Sequence, residues 1–439
     1  MAPTKPANKV TRLPVAPTII PRQDHNISRT EISENALKVL YRLKNAGYKA
    51  YLVGGGVRDL LLGLKPKDFD VVTDARPEQI RELFRNCRLI GRRFRLAHVR
   101  FGDEIIEVST FRAAHHMADG EGHIEDGRII RDNVYGDIDD DAWRRDFTVN
   151  ALFYNIEDFS IVDYVGGIND IKEGQLRLIG EPVQRYREDP VRMLRAIRFA
   201  VKLEFKLHTA TEKPIFTMDH LLQDISSSRL FEEFMKLFMS GNSLQTYQQL
   251  CHYGLFKQLF PEAGQMLEED TEGYVDKLFR AVFENTDNRI GEGKPVTPGF
   301  LIAAILWLPM MHLAEDYKSN GLAEMDAIQL ASDVVISRQI NSIAFPRRFT
   351  LMAREIWSLQ SRLKHRRGKR PHRLLSHPRF RAAYDFLLLR YQAGENIQEL
   401  VDWWNEYVEK NRDQITAPVT HGRRLKSRRR PGKQRQHFH

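Results

Sequence analysis

The chain has 439 residues, of which 42% are hydrophobic, and a formal net charge of +9, the composition of a globular protein of about two to four domains. Its longest apolar run, Phe300 to Leu313, is shorter than the roughly 20 residues that cross a bilayer, so we expect a buried helix and no transmembrane segment. The two cysteines, Cys87 and Cys251, cannot form a metal cage alone and suit a reducing compartment, so we expect a cytoplasmic protein. A mitochondrial leader in the basic residues 1–23 is the alternative, opposed by five prolines.

The predicted elements change in kind along the chain. Residues 1–30 are rich in proline without periodicity and are expected to be disordered, and a helix that ends at Gly47 follows. Short β-type runs then fill the chain from Tyr48 to about Arg177, with one helix at about 77–86. Beyond Glu188 the apolar residues recur with helical spacing, so the second half is predicted to be almost entirely helical.

The stretch "LVGGGVRDLLLG", residues 52–63, predicts a strand, a turn of three glycines and a short helix. Such a turn points backbone N–H groups at a phosphate, and Arg58 adds a positive charge. The Walker and dinucleotide-binding patterns are both absent. Three glycines alone do not distinguish a phosphate site from a tight turn.

The following stretch, "KDFDVVT", favours the phosphate site. In a strand Asp68 and Asp70 share one face, while Phe69 and Val71 point into the core. Two carboxylates so close together require a cation, and their hard oxygen donors suit Mg²⁺. The alternative is a pair of solvated acids at the edge of a strand.

Further candidates follow on later elements. Glu107 in "DEIIEVSTFR" is expected to add a third carboxylate from a neighbouring strand. In "WRRDFTVNAL", Arg144 and Arg145 are suited to phosphate oxygens, and Asp146 to a ribose hydroxyl or to the metal site. The alternative for Asp146 is a helix cap or a salt bridge to an arginine.

The stretch "YREDPVRMLRAIRFA" predicts a helix with Asp189 as its N-cap and Pro190 at the first position. Arg192, Arg195 and Arg198 recur every third residue, so they share one slowly drifting face. This face is either solvated or lines a cleft, where guanidinium groups stack on or hydrogen-bond to a base.

The charge is concentrated near the C-terminus. Residues 421–439 contain six Arg and two Lys but no Asp or Glu, and removing these eight charges from +9 leaves +1. A second basic cluster, at 362–373, contributes seven more cations between helical patterns. Two such patches favour a polyanionic partner, whereas a merely solubilising tail is the alternative.

Several of these motifs occur together in one order: "LVGGGVRDLLLG", "KDFDVVT", "EIIEVSTFR", "RRDFTVNAL", "DYVGG", "RLIG" and "REDPVRMLRAIRF". In this order they resemble the bacterial poly(A) polymerases, in the nucleotidyltransferase superfamily that includes class II tRNA CCA-adding enzymes. The resemblance covers about residues 30 to 400 and implies an α+β fold, with a polymerase-β-like head of mixed sheet followed by all-helical neck and body domains. The expected division is a disordered segment 1–30, a catalytic head 31–178, a neck 179–260, an RNA-binding body 261–412 and a disordered arginine-rich tail 413–439.

The resemblance also implies site residues. Asp68 and Asp70 would hold two Mg²⁺ ions, with Mn²⁺ as a possible substitute, and Glu107 or Asp146 would be the third catalytic acid. The residues expected to bind ATP are Gly54, Gly55, Arg58, Arg144, Arg145, Glu188, Asp189, Arg192 and Arg195. The residues expected to bind RNA are Arg366, Arg367, Lys369, Arg370, Arg423, Arg424, Arg428, Arg429 and Arg430.

The expected activity is template-independent addition of AMP from ATP to RNA 3′ ends, with release of pyrophosphate. This activity is expected to promote RNA decay. Residues 89–112 resemble the poly(A) polymerase form of that stretch, the basic tail suits an enzyme that holds many RNA ends, and no His-Asp dipeptide marks an appended phosphohydrolase. A CCA-adding enzyme is the first alternative and a catalytically dead RNA-binding protein the second. RNA-decay proteins are the expected protein partners.

Overall fold

The computed structural model describes residues 16–91, 95–113, 124–125, 128–129 and 135–411. Contacts divide the chain into a first unit that ends at Leu259 and a second unit that begins at Phe260. The first unit contains the residues predicted as head and as neck, and the two units are described separately. The predicted tail 413–439 lies outside the described residues.

A mixed sheet forms the centre of the first unit. The strands are, in chain order, β1 Thr18–Ile20, β2 Ala50–Val53, β3 Asp70–Thr73, β4 Cys87–Ile90, β5 Leu96–Phe101, β6 Glu104–Thr110, β7 Ile124–Glu125, β8 Arg128–Ile129, β9 Leu152–Asn155, β10 Ile161–Asp163, β11 Gln175–Leu176 and β12 Lys206–Leu207. Eight of them form one sheet in the order β1-β10-β9-β2-β3-β6-β5-β4. Its neighbouring strands are antiparallel except β3 and β6, which are parallel. The predicted mixed sheet is confirmed.

The prediction that residues 1–30 are disordered is wrong for β1. Thr18 to Ile20 pair with Ile161 to Asp163 of β10 and form one edge of the sheet. Prolines at 17 and 21 flank these three β-branched residues. An edge strand tolerates such flanks because one side of its backbone needs no partner, and a three-residue strand is too short to show alternation.

Helices cover the sheet and then continue beyond it. Those of the first unit are α1 Glu34–Asn45, α2 Gly55–Leu61, α3 Pro77–Leu83, α4 Ile138–Arg144, α5 Gly167–Glu173, α6 Pro182–Glu188, α7 Val191–Leu203, α8 Thr209–Glu212, α9 Ile215–Met218, α10 Ser227–Phe238, α11 Ser243–His252 and α12 Leu255–Leu259. The hydroxyl of Ser33 caps α1, and this helix buries Val39 and Leu43 in one core with Leu52 and Val108 of the sheet. The sheet therefore presents one face to α1 and holds its strand ends in fixed register.

The second unit is helical throughout its described residues. Its helices are α13 Pro261–Glu269, α14 Tyr274–Gly291, α15 Pro298–Ile305, α16 Trp307–Ser319, α17 Glu324–Ser342, α18 Arg347–Leu363, α19 Arg370–Leu375, α20 Phe380–Gln392 and α21 Gln398–Lys410. Trp404 is fully buried, and its indole N–H donates to the carbonyl of Leu363 at 2.9 Å. The predicted helical second half is confirmed.

The single buried helix predicted for Phe300 to Leu313 is instead a pair, α15 and α16, that meet at an angle of 51°. Pro309 has no N–H to donate to the carbonyl four residues earlier, at Ile305, where α15 ends. Among the described helices none is long and apolar enough by itself to cross a membrane, although this bent pair passes that test jointly.

Replacing Gly167 with Ala is predicted to destabilise the first unit. Gly167 begins α5, and an added Cβ would lie 2.3 Å from the carbonyl oxygen of Thr148, in the turn that precedes β9. Overpacking of this kind costs about 1–3 kcal/mol, so thermal unfolding should begin several degrees lower. Gly291→Ala is the control, because a Cβ there meets nothing within 4 Å, and it should leave the midpoint unchanged or slightly raised. Equal midpoints for the two variants would contradict the packing described.

Candidate active site

The parallel pairing of β3 and β6 brings two carboxylates together. Asp70 is the first residue of β3 and lies in register with Glu107 of β6. Asp68 precedes the strand by two residues, so the expectation that both aspartates belong to the strand is wrong for Asp68. The alternation persists nevertheless, because Asp68 and Asp70 are exposed and Phe69 between them is buried. The structure thus gathers the three acids that the sequence proposed as neighbours.

The negative charge at this site is incompletely balanced. Although Asp70 is exposed on one side, the protein packed around it removes part of the hydration of its carboxylate, the like charges of Glu107 and Asp68 add to this effect, and Arg145 opposes it. Together they raise the pKa of Asp70 to about 6. An additional positive charge at this position would therefore be stabilising.

These acids fit a divalent cation as a partial ligand set. Among the described residues no group of three or more His, Cys, Asp or Glu side chains is arranged to hold a metal ion. Mg²⁺, however, is usually bound by one or two carboxylates, with waters and substrate phosphates completing its octahedron. Asp68 and Asp70 meet that requirement, and the raised pKa of Asp70 marks where the cation is needed.

His98 is a site neighbour that the sequence analysis missed. Its Nε2 lies 3.4 Å from Oε2 of Glu107, and the two residues are directly opposite each other on β5 and β6. A two-residue turn at Gly102 and Asp103 sets this register. Recognising that turn as a hairpin would have placed His98 beside Glu107 from the sequence alone.

The glycine turn lies against the carboxylates. Gly54 has a φ of +76° and precedes α2, a conformation that glycine adopts without strain. A Cβ at this position would lie 3.6 Å from Nη1 of Arg145 and 4.0 Å from Oδ2 of Asp70. Gly55 is the first residue of α2, which begins earlier than the sequence indicated. The turn, Arg145 and Asp70 therefore form one contiguous surface.

Arg58 is buried and its guanidinium is already bound by other side chains, which the sequence analysis did not anticipate. It is 2% exposed, its Nη2 lies 2.5 Å from Oδ1 of Asp59, and its Nη1 donates to Oδ1 of Asn150 at 2.5 Å. In this arrangement the guanidinium fastens α2 to the turn before β9. Its contact with phosphate stays a prediction that requires rearrangement of these bonds.

The two arginines of the "RRD" motif have different surroundings. Arg145 pairs with Asp141 at 2.7 Å and lies over the ring of Phe153, with 5.4 Å between the guanidinium carbon and the ring centroid. Arg144 ends α4, and its main-chain carbonyl accepts a hydrogen bond from Arg185 at 3.0 Å. Arg145 is thus the one that the structure holds beside Asp70.

Asp146 is bound by arginines of the following helix. It accepts from Nε of Arg192 at 2.8 Å and from Nη1 of Arg195 at 2.5 Å, and Arg185 lies 3.9 Å away. Burial works to raise the pKa of Asp146, but Arg192 and Arg195 outweigh it and hold the pKa below its usual value. The salt-bridge alternative for Asp146 describes this geometry, and a catalytic role for it stays a prediction.

Glu188, Asp189 and Arg192, at the start of the "REDPVRMLRAIRF" stretch, belong to the same ion-pair network. Glu188 lies 3.1 Å from Arg185 and 3.3 Å from Arg192. Asp189 pairs with Arg229, a residue that the sequence analysis missed, at 2.6 Å. Asp189 also accepts from the N–H of Val191, where α7 begins, one residue later than the start predicted at Pro190.

The basic cluster of the second unit is exposed. Arg366, Arg367 and Lys369 lie between α18 and α19, and Arg370 is the first residue of α19. Arg366 donates to the carbonyl of Glu399 at 3.3 Å. The other predicted RNA-binding arginines, Arg423, Arg424, Arg428, Arg429 and Arg430, lie outside the described residues.

Three family models match the chain. Residues 50–177 match the poly A polymerase head domain, residues 204–267 the "probable RNA and SrmB-binding site of polymerase A", and residues 320–437 the polymerase A arginine-rich C-terminus. Together these models span most of the chain, and the third includes the basic tail.

Relatives and solved structures agree with these matches. Poly(A) polymerase I of Salmonella typhimurium is 53% identical over 397 residues, covering 89% of this chain and 85% of the relative. Poly(A) polymerase I of Haemophilus influenzae is 47% identical over 414 residues, covering 93% and 91%. The crystal structure of the Bacillus stearothermophilus CCA-adding enzyme in complex with CTP matches with a TM-score of 0.56 at 23% identity, covering 85% of this chain and 82% of that one, a likeness of fold.

Asp70→Asn is predicted to stabilise the metal-free protein at neutral pH. The folded pKa of about 6 lies above the value of 3.8 expected for an unconstrained aspartate, so the folded state loses stability as the pH rises through this interval. Thermal unfolding in chelator should show little difference between wild type and variant at about pH 4, and a higher midpoint for the variant at about pH 7.

Asp158→Asn serves as a control of opposite sign. Although burial opposes it, hydrogen bonds from Ser160 hold the pKa of Asp158 below its usual value, so this carboxylate adds stability that is lost as the pH falls. The variant should lower the midpoint at pH 7. An Asp70→Asn midpoint equal to wild type at both pH values would contradict the crowding of the three acids.

Proposed function

The chain belongs to the bacterial poly(A) polymerase family, and we propose that it is a polynucleotide adenylyltransferase that transfers AMP from ATP to RNA 3′ ends and releases pyrophosphate. The single observation that carries the proposal is the register of Asp70 with Glu107, beside Asp68 and the glycine turn. Crowded carboxylates next to a backbone suited to phosphate are what nucleotidyl transfer requires.

Asp68 and Asp70 would hold the divalent ions, two Mg²⁺ with Mn²⁺ as a possible substitute, and Glu107 is the third acid that their positive charge would stabilise. When bound, such ions neutralise phosphate charge and make a hydroxyl a better nucleophile. Asp146, already neutralised by Arg192 and Arg195, is better placed to hold these arginines than to bind metal.

Arg145 and the glycine turn would hold the triphosphate. The Arg145 guanidinium lies beside Gly54 and opposes part of the rise in the pKa of Asp70, so its positive charge acts on the same space as the carboxylates. Its pairing with Asp141 fixes its orientation. Most of the rate enhancement would then come from positioning and electrostatic stabilisation of the departing pyrophosphate.

The network around α7 would select adenine. Glu188, Asp189, Arg192 and Arg195 are the residues proposed to meet the base, and all four are held by ion pairs in the described structure. Side chains fixed before binding lose less conformational entropy when a base binds, so this network favours one hydrogen-bonding pattern. Arg144 is proposed to assist at the phosphate end.

The RNA would be held by the neck and body, through the region matched at 204–267, the exposed cluster around Arg366 to Arg370 and the basic tail. A single-stranded A-tail gives RNA-decay proteins an unstructured 3′ end, so we propose a role in RNA decay. We propose the cytoplasm as the place of action, because a chain with only two cysteines, Cys87 and Cys251, suits a reducing compartment.

One extension reaction tests the proposal and separates it from its alternatives. With Mg²⁺, ATP and a generic RNA oligomer, the protein should produce a ladder of long products, and CTP should give little. A CCA-adding enzyme would use CTP as well and stop after completing a tRNA end. Absence of any product with any nucleotide would indicate an RNA-binding protein without activity.

Asp68→Ala should reduce AMP incorporation at least a thousandfold in the same reaction, because removing one metal ligand removes several kcal/mol of transition-state stabilisation. Asp103→Ala is the matched control, since this exposed aspartate lies in the turn between β5 and β6. Both variants should keep the wild-type unfolding midpoint. An active, folded Asp68→Ala enzyme would refute the metal assignment.

A further inference from the structure

A group of positively charged side chains lies where α2 meets α7. Its members, hereafter the cationic cluster, are Arg58, Arg198 and Lys202 of the two helices, and Lys67 of the segment before β3, whose charge acts on Lys202. The guanidinium carbons of Arg58 and Arg198 lie 5.4 Å and 4.3 Å from the centroid of the Phe199 ring. The functions proposed above leave Lys67, Arg198 and Lys202 without a role.

The cluster has more positive charges than neighbouring acids. Asp59 is shared, because its Oδ1 binds Arg58 at 2.5 Å and its Oδ2 lies 3.7 Å from Nζ of Lys202. Glu233 also acts on Arg198, but this buried carboxylate already pairs with Lys236 at 2.8 Å and with Arg195 at 3.8 Å. The acids next to the four cations of the cluster are therefore Asp59 and Glu233, and Glu233 is shared with Lys236 and Arg195 outside it.

Two further observations indicate a missing anion. Nε of Arg198 is buried and has no hydrogen-bond partner among the described residues, although a buried N–H group normally has one. Oε2 of Glu233, whose negative charge acts on Arg198, also has no partner there, so this carboxylate does not bind Nε of Arg198. Burial, together with the positive charges of Arg58, Lys67 and Arg198, lowers the pKa of Lys202 against the pull of Asp59. A bound anion would relieve both conditions.

The cluster borders the glycine turn. A Cβ on Gly55 would lie 3.4 Å from Nη2 of Arg58, and Lys67 immediately precedes Asp68. Arg58 is itself enclosed, whereas the Lys202 side chain is 44% exposed and can reach a ligand. Lys202 can therefore contact a ligand at the surface, whereas the buried Arg58 cannot.

We propose that Lys202, with Lys67 and Arg198, forms a phosphate-binding subsite beside the glycine turn, a site that rests on the adenylyltransferase function proposed above. Arg58 binds Asp59, so the negative charge of Asp59 is largely balanced by Arg58 and leaves the charge of Lys202 available to a ligand. The ligand is a phosphate group, supplied either by the triphosphate end of ATP and its pyrophosphate product or by the backbone of the RNA.

The test replaces Lys202 with Met, which keeps the aliphatic stem and removes the charge. One arm measures the KM for ATP at saturating RNA and the inhibition constant of pyrophosphate. The other arm measures binding of a labelled oligo(A) without ATP, by fluorescence anisotropy. Loss of one charge-assisted contact weakens binding about tenfold, so we expect that change in one of the two arms, and the arm that changes identifies the source of the phosphate.

Lys172→Met is the matched control, because this exposed lysine of α5 lies outside both the cluster and the regions proposed to hold RNA, and both arms should match wild type. Lys202→Arg should restore most of the affinity, and Lys67→Met should shift the same arm as Lys202→Met. A folded Lys202→Met protein unchanged in both arms would overturn the subsite. A wild-type protein that fails to extend RNA would instead refute the proposed function.

Discussion

The repulsion between carboxylates on two parallel strands is the constraint on which the candidate site depends. β3 and β6 are the parallel pair of the eight-stranded sheet, and their register sets Asp70 beside Glu107, with Asp68 just before the strand. The hydrophobic core under the sheet fixes that register, since a shift by one residue would exchange the buried Val71 and Val108 with the acids. The core thereby holds together charges that would otherwise separate.

Ion pairs between acids and arginines organise the other side of the site. Asp146 receives two arginines of α7, Glu188 and Asp189 hold Arg192 and Arg229, and Asp141 holds Arg145. Each of these arginines is held in one orientation by an acid, which makes its guanidinium less available to a ligand. These pairs are partly buried, and such pairs contribute more to geometry than to stability, because the desolvation of both partners offsets much of their attraction.

Sequence patterns were sufficient to predict the elements with long periodicity, but not the features that depend on one residue or on partners far away in the chain. Alternation in "EIIEVST" and "DVVT" was sufficient to propose Glu107 and Asp70 as neighbours, and the helical periodicity after Glu188 gave the architecture of the second half. The sequence could not show that Arg58 is buried. Its guanidinium is held by the neighbouring Asp59 and by Asn150, which lies far away in the chain. The short strand β1 and the break between α15 and α16 at Leu306 were missed because single residues decide them. The partners of Asp146 lie 46 and 49 residues away, beyond any local pattern.

The central claim is that the crowded acids around Asp70 are a divalent-cation site. The most direct measurement is an electron paramagnetic resonance titration of Mn²⁺ in the presence of ATP, with wild type, Asp70→Asn and Asp158→Asn compared at pH 7. We expect wild type and Asp158→Asn to bind Mn²⁺ beyond the amount held by ATP alone. The affinity of Asp70→Asn for Mn²⁺ should be about tenfold lower or more. Equal Mn²⁺ binding by all three proteins would contradict this claim.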